Sequence, residues 1–258
     1  MAPNEAPPQF VTVAPLYDLL MMGVPYTAWI LYLRQLLDLW NAHPRTVLDL
    51  ACGTGNVSEL LYHEGYDVVG VDIAPAMIEV AKQKAATEGF PIEYFVQDAA
   101  ELSLPKRRFD LCTCLFDSLN YILEPARLQM AFEQVYAHLA PRGVFIFDMN
   151  SEFALINNFF DQENLEMDEP LKYDWHSTYV PSLRICRVEM DFNHTAESGE
   201  VTHFQETHLQ FAYRTEEVLE MLNTAGFEKC ATYQAYTLRS PSKTSDRIFY
   251  VARKPSKD

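Results

Sequence analysis

Three short stretches of this chain carry residue types that could do chemistry. In Val47-Leu48-Asp49-Leu50-Ala51-Cys52-Gly53-Thr54-Gly55-Asn56 an apolar run ends in two glycines one residue apart, and a helical pattern follows. That order reads as a buried strand, a tight turn and a helix N-terminus. Backbone N–H groups at such a turn face a ligand, and glycine lets a nucleotide-like group come close. In Leu115-Phe116-Asp117-Ser118-Leu119-Asn120-Tyr121 an apolar run closes on an acid, a hydroxyl and an amide. Asp117 or Ser118 could cap a helix there, and Asn120 could be a buried amide. In Glu206-Thr207-His208-Leu209-Gln210 the residues Glu206, His208 and Gln210 alternate onto one face of a strand. His208 is the group able to take a proton from an amine or hydroxyl near neutral pH. His203 lies five residues before it, on the opposite face, so the two make no metal site.

The elements that must position these stretches follow from periodicity. A helical pattern runs from Phe10 to Asn41 with a break at Gly23-Val24-Pro25. Residues 46–51 are the opening strand, and a helix runs from Asn56 to Glu64. Val68 to Asp72 and Ile92 to Val96 are further strands, separated by a helix that starts near Pro75 and closes at Gly89. Phe109 to Phe116 is a fourth strand, Arg127 to Leu139 a helix, and Val144 to Met149 a fifth strand. Strands alternating with helices, each strand apolar throughout, imply a parallel sheet covered on both faces. After Asn150 the texture changes. Segments 173–180, 184–193 and 201–213 are rich in Tyr, Val, Thr and Phe and read as an antiparallel insertion. Thr215 is expected to cap the next helix, which ends at Gly226. Lys229 to Tyr236 and Arg247 to Arg253 complete the pattern as an edge pair. The expected organisation is a flexible arm (1–9), N-terminal helices (10–45), a core (46–150), the β insertion (151–213) and completion of the core (214–258).

The 258 residues carry a net charge of −16, which argues against a nucleic-acid surface. Within the insertion, twelve acids face three bases, a balance that would favour a cationic or neutral partner over a phosphate. The five cysteines, Cys52, Cys112, Cys114, Cys186 and Cys230, show no metal-ligand spacing and read as reduced core thiols of a cytoplasmic protein. No apolar stretch is long enough to span a membrane.

The glycine turn fits two ligand classes. A dinucleotide fold wants a third glycine or alanine, and this chain has Ser58 there. An acid-bearing strand running into Ala-Cys-Gly-Thr-Gly instead resembles the first motif of the class I S-adenosylmethionine-dependent methyltransferases. Asp72, 19 residues after Gly53, Asp98 at the end of the third strand and Pro141-Arg142-Gly143-Val144 agree with that family. The resemblance implies a Rossmann-like seven-stranded α/β sheet with helices on both faces and S-adenosylmethionine as cofactor. It implies cofactor contacts from Asp49, Ala51, Cys52, Gly53 and Gly55. It further implies contacts from Asp72 (to the ribose), Ile73, Met77, Asp98 with Ala99 and Ala100 (to the adenine), Leu115 and Phe116. The opening Leu16-Tyr17-Asp18-Leu19-Leu20-Met21, with Val24-Pro25-Tyr26 and Trp29, is similar to small-molecule enzymes near the glycine N-methyltransferases and sugar-amine N-methyltransferases. That likeness implies a helix over the cofactor, with Tyr17 and Trp29 close to it. Asp117, Asn120 and His208 are then the expected catalytic residues, acting on N or O of a small molecule, and the insertion is the expected substrate lid and a possible homodimer contact. An RNA or protein methyltransferase, a non-catalytic binder of the cofactor and an NAD-dependent oxidoreductase are the competing readings. The acidic balance speaks against the first with tRNA, and Ser58 and the position of Asp49 speak against the last.

Overall fold

The computed structural model describes residues 9–104, 106–166 and 169–256. Of the arm expected over 1–9, all but Gln9 lies outside the described residues. In chain order the first elements are α1 (Tyr17–Leu20), α2 (Tyr26–Leu39), β1 (Thr46–Leu50), α3 (Asn56–His63), β2 (Asp67–Asp72), α4 (Pro75–Glu88) and β3 (Glu93–Val96). Then come β4 (Phe109–Cys114), α5 (Pro125–His138), β5 (Leu139–Asn150), α6 (Glu152–Ile156), β6 (Gln162–Asn164), β7 (Leu171–Val180), β8 (Ile185–Thr195) and β9 (Val201–Phe211). The chain finishes with α7 (Thr215–Thr224), β10 (Lys229–Gln234) and β11 (Arg247–Arg253).

Seven strands form one sheet in the order β10-β11-β5-β4-β1-β2-β3. β1 to β5 are parallel, while β11 runs antiparallel to both β5 and β10. Alternate residues of the parallel strands feed two cores. Leu48, Leu50, Phe145 and Phe147 pack with Leu128 and Phe132 of α5 and Leu222 of α7. Val47, Val68, Leu111 and Ile146 pack on the other side with Leu33 and Leu36 of α2, Leu61 of α3 and Ile78 of α4. Burial on both faces is the reason these strands read as continuous apolar runs. Asp49 lies on the α3 side of β1, in a sequence position where only a partnered acid is tolerated. The order reverses between β1 and β4, so the crevice outside their carboxyl ends is the natural ligand position.

The insertion forms a second, four-stranded antiparallel sheet, β6-β7-β8-β9. Its register places Trp175, Met190 and Glu206 in one cross-strand row and Ser177, Val188 and His208 in the next. A third core joins this sheet to the rest: Val188, Met190 and Phe192 pack with Val13, Ala14, Ala74 and Met77.

Three local expectations need correction, and two short elements were not expected. Residues 10–13 are not helical but form a bent strap, because Glu206 takes the N–H groups of Phe10, Thr12 and Val13. β4 stops at Cys114, since Phe116 and Asp117 both turn left-handed (φ 69° and 50°). The N-cap of α7 is Arg214, one residue before the expected Thr215, and its N–H donates to Glu217 at 3.0 Å. The short α6 and β6 had no recognisable signal in the sequence, being five and three residues long.

Candidate active site

The glycine turn is assembled by its own neighbours. Ala51 and Gly53 are left-handed (φ 56° and 55°), and Gly55, also left-handed at 86°, is the N-cap of α3. The two Asp72 oxygens accept from Gly53 N and Ala74 N, each at 2.8 Å, which ties the end of β1 to the end of β2. Burial pushes the Asp72 carboxyl up, against these backbone bonds. Asp49 accepts from Ser58 Oγ at 2.6 Å and Thr113 Oγ1 at 3.0 Å. Ser58, the residue that broke the dinucleotide pattern, is thus the partner of the buried acid. Hydroxyl partners do not offset the loss of water, and burial pushes the Asp49 carboxyl up to about 6.

α1 is fastened to this turn by Asp18. Its carboxylate accepts from Thr54 Oγ1 (2.6 Å) and Asn56 Nδ2 (2.9 Å) and pairs with Lys84 Nζ at 2.8 Å. That brings the Tyr17 ring over Gly53, where an added Cβ would lie 4.0 Å from it. Gly55 serves packing instead: a Cβ there would meet the Tyr94 hydroxyl at 2.5 Å.

The opposite wall is built from distant segments. Asp148 on β5 accepts from Phe116 N (2.8 Å) and Asp117 N (3.0 Å), holding the two left-handed residues. Such backbone costs on the order of 1–3 kcal/mol per residue and persists only where surroundings over-determine it. Arg247 on β11 donates to Asp148 and, at 2.7 Å, to Asp117, while Gln210 Nε2 donates to the other Asp117 oxygen at 2.7 Å. Burial works against the Arg247 charge, but the two flanking carboxylates outweigh it and hold it cationic. Burial likewise pushes Asp117 up, opposed by Arg247. Asn120 is fully buried; its Nδ2 donates to the carbonyls of Asn150 and Phe211, and its Oδ1 accepts from Asn150 N. It joins the ends of β5 and β9 behind the wall.

His208 on β9 is 2 % exposed, with Nε2 2.8 Å from Glu206 Oε2 and Nδ1 3.3 Å from the Tyr121 hydroxyl. Phe10 of the strap packs edge-on against its ring at 4.4 Å.

Between the two walls lies a cavity of about 460 Å³. Of the expected residues, Tyr17, Trp29, Asp49, Ala51, Cys52 and Gly53 line it, as do Asp72, Ile73, Met77, Leu115, Phe116, Asp117 and His208. Gly55, Asn120, Asp98, Ala99 and Ala100 are not among its lining residues. Asp98 accepts from Ala100 N at 2.8 Å and pairs with Arg127 at 2.6 Å. Unforeseen lining residues include Phe10, Tyr121, Gln210 and Arg247. The Glu-x-His-x-Gln alternation was the signal that could have found Gln210.

Among the described residues none of the insertion's acids lines this cavity, although Glu206 is buried behind it against the lining His208. Asp174 and Asp191 share an outer row of the sheet, and Glu189 lies in the next. The inner face of β7 and β8 presents Tyr173, Trp175, Val188, Met190 and Phe192. The charge of Asp174, Glu189 and Asp191 thus sits on the sheet face turned from the cavity lining.

A seven-stranded sheet of this order, with an acid before a glycine turn and a ligand-sized crevice at the reversal, defines the class I methyltransferase fold. Residues 47–143 match the family model described as a methyltransferase domain. A protein of Geobacillus sp. (strain WCH70) named as a methyltransferase is 33% identical over 240 residues, covering 92% of this chain and 96% of its own. The crystal structure of an S-adenosylmethionine-dependent methyltransferase from Clostridium acetobutylicum ATCC 824 is 28% identical, covers 95% of this chain and 98% of its own, and superposes with a TM-score of 0.83. The sugar N-methyltransferase KedS8 from Streptoalloteichus sp ATCC 53650 shares the fold at 24% identity, covering 99% of each chain with a TM-score of 0.77. The chain belongs to the S-adenosylmethionine-dependent methyltransferases. Its residues fit that cofactor: Asp49 is buried on the cavity with no cationic partner among the described residues, so a cationic ligand would relieve it. Among the described residues, no helix is long and apolar enough to cross a membrane.

Proposed function

We propose that this methyltransferase acts on N or O of a small-molecule acceptor held between the glycine turn and the inner face of the insertion sheet. The observation that carries this reading is the single cavity lined at once by Gly53 and Asp72 and by Trp175, Met190 and His208. When bound, S-adenosylmethionine supplies a methyl group activated by sulfonium charge. Asp49, Asp72 and Tyr17 would hold it, with Ile73 at the rim. The chain's remaining work is to align a lone pair and exclude water. The Trp29 ring packs at a tilt against Phe116, 5.1 Å between centroids, and both rings line the crevice. Asp117 and Arg247 form a paired polar wall, and Asn120 fixes that wall from behind. His208 is the group placed to receive a proton where the acceptor arrives protonated. The apolar inner wall favours an acceptor with an apolar body.

Transfer of labelled methyl from the cofactor into a fractionated metabolite extract, with protein and RNA fractions beside it, tests this. Label should enter the small-molecule fraction. Label confined to protein or RNA would overturn it.

A further inference from the structure

Glu206 has four donors. Oε1 accepts from Thr12 N (2.8 Å) and Val13 N (2.9 Å); Oε2 accepts from Phe10 N at 3.0 Å and meets His208 Nε2 at 2.8 Å. Burial pushes this carboxyl up, but the bonds from His208 and from the strap outweigh it and hold it below its ordinary value. An ionised carboxylate only accepts, so the proton between the two side chains sits on Nε2. In the neutral imidazole, Nδ1 is then the acceptor. The Tyr121 hydroxyl, 3.3 Å away, must donate to it. Of the two lone pairs on the Tyr121 oxygen, Gln210 approaches one and the other can meet a donor in the cavity, which Tyr121 and His208 both line.

We propose that Tyr121 is the catalytic group that touches the acceptor, handing its own proton to His208, and that Glu206 both supports this relay and latches the N-terminal strap over it. The proposal rests on the small-molecule reading above. As the acceptor atom bonds to the methyl carbon, the carbon–sulfur bond breaks and its electron pair leaves with sulfur. The proton on the acceptor passes to Tyr121 Oη while the hydroxyl proton of Tyr121 passes to His208 Nδ1. The product is an imidazolium facing the Glu206 carboxylate, and Tyr121 ends as it began. Burial raises the Tyr121 hydroxyl above its ordinary range, with Asp117 and Glu206 adding to that and the Gln210 hydrogen bond and Arg247 opposing it. Tyr121 therefore works as a neutral conduit, with no resting tyrosinate.

The strap belongs to the same device. Phe10 packs 4.4 Å from the His208 ring and 5.3 Å from that of Tyr121, shielding the relay from water. Gln9 Oε1 extends the attachment by accepting from Leu209 N at 3.3 Å. Since one carboxylate holds both His208 and residues 10–13, closing the strap and orienting the imidazole are a single event.

Three measurements on the full chain test this: the His208 tautomer by nitrogen NMR, amide exchange at Phe10, Thr12 and Val13, and turnover with the metabolite fraction that accepts label. Wild type should show the Nε2–H tautomer. Tyr121→Phe should lower kcat at least about 100-fold, the scale of a lost acid–base group, leaving S-adenosylhomocysteine affinity and strap exchange unchanged. Glu206→Gln should speed exchange at the three strap amides about tenfold or more and lower kcat as well. An Nδ1–H tautomer, or wild-type turnover in Tyr121→Phe, overturns the relay; unchanged strap exchange in Glu206→Gln overturns the latch. If the Nε2–H tautomer is found but no small molecule takes label, the functional reading falls and the hydrogen-bond chain stands.

Discussion

The cavity's two walls are made in opposite ways. On the glycine-turn side, Asp49 and Asp72 are each bound by neutral groups, hydroxyls for one and backbone N–H groups for the other. Their charge waits for a ligand. On the acceptor side, Asp117 and Asp148 share Arg247, and Glu206 faces His208 and three backbone donors. There the charges are already matched within the protein. Buried carboxylates thus lack a cation on one wall and are paired with one on the other.

Removing Arg247 should break that contrast most strongly. Arg247→Ala leaves the Asp117 and Asp148 carboxylates buried without a cation, which should cost about 3–5 kcal/mol of stability, read by urea denaturation. A loss no larger than that of a surface arginine would show the pair to be dispensable. The turn side should respond in affinity instead. Asp72→Ala should weaken cofactor binding by about 1.5–3 kcal/mol, the scale of hydrogen bonds to a charged group; calorimetry with S-adenosylhomocysteine giving wild-type affinity in a folded variant would remove Asp72 from the site.

Asp49 gives the comparison a pH dependence. Its carboxyl ordinarily titrates at 3.8 and is raised to about 6 in the folded protein. The folded state holds this proton more tightly, so the contribution to stability is full below about pH 4 and is lost as pH rises through about 6. Asp49→Asn should therefore be more stable than wild type at pH 7, by up to about 3 kcal/mol, and show no such gain at pH 4. Equal gains at both pH values would mean that the acid is not strained by burial. The smallest effect is expected at Arg127. Its pair with Asp98 is exposed (37 % and 27 %), so Arg127→Ala should change stability by about 1 kcal/mol or less, as thermal unfolding would show.

The same contrast governs what the sequence made legible. Strand, turn and helix around Gly53 run without interruption from Thr46 to His63, and their signals are local: apolar runs, paired glycines, an acid at a strand end. The partners of Asp117 and Asp148 come from Arg247, 130 and 99 residues further on, and nothing in a lone arginine announces them. The strap read as helix because its apolar residues suit one; Glu206, almost 200 residues away, decides otherwise. Asn120 was legible as a buried amide or a site residue, and its three bonds to backbone place it behind the wall. The insertion's acid count was correct, but composition has no sides. Only the register of β7 with β8 separates Asp174 and Asp191 from Tyr173 and Phe192.

That two-sided sheet has a consequence for how such an enzyme changes. Val188, Met190 and Phe192 meet the cavity while Arg187, Glu189 and Asp191 meet solvent, by alternation alone. Replacing one inward residue would alter the cavity's shape without disturbing the pairing or the charged outer face. Deleting one residue between them would reverse every side chain beyond it and turn the acids inward. Selection can therefore reshape the cavity by point substitution along β8, while a change of length by one residue in the same strand inverts the faces beyond it.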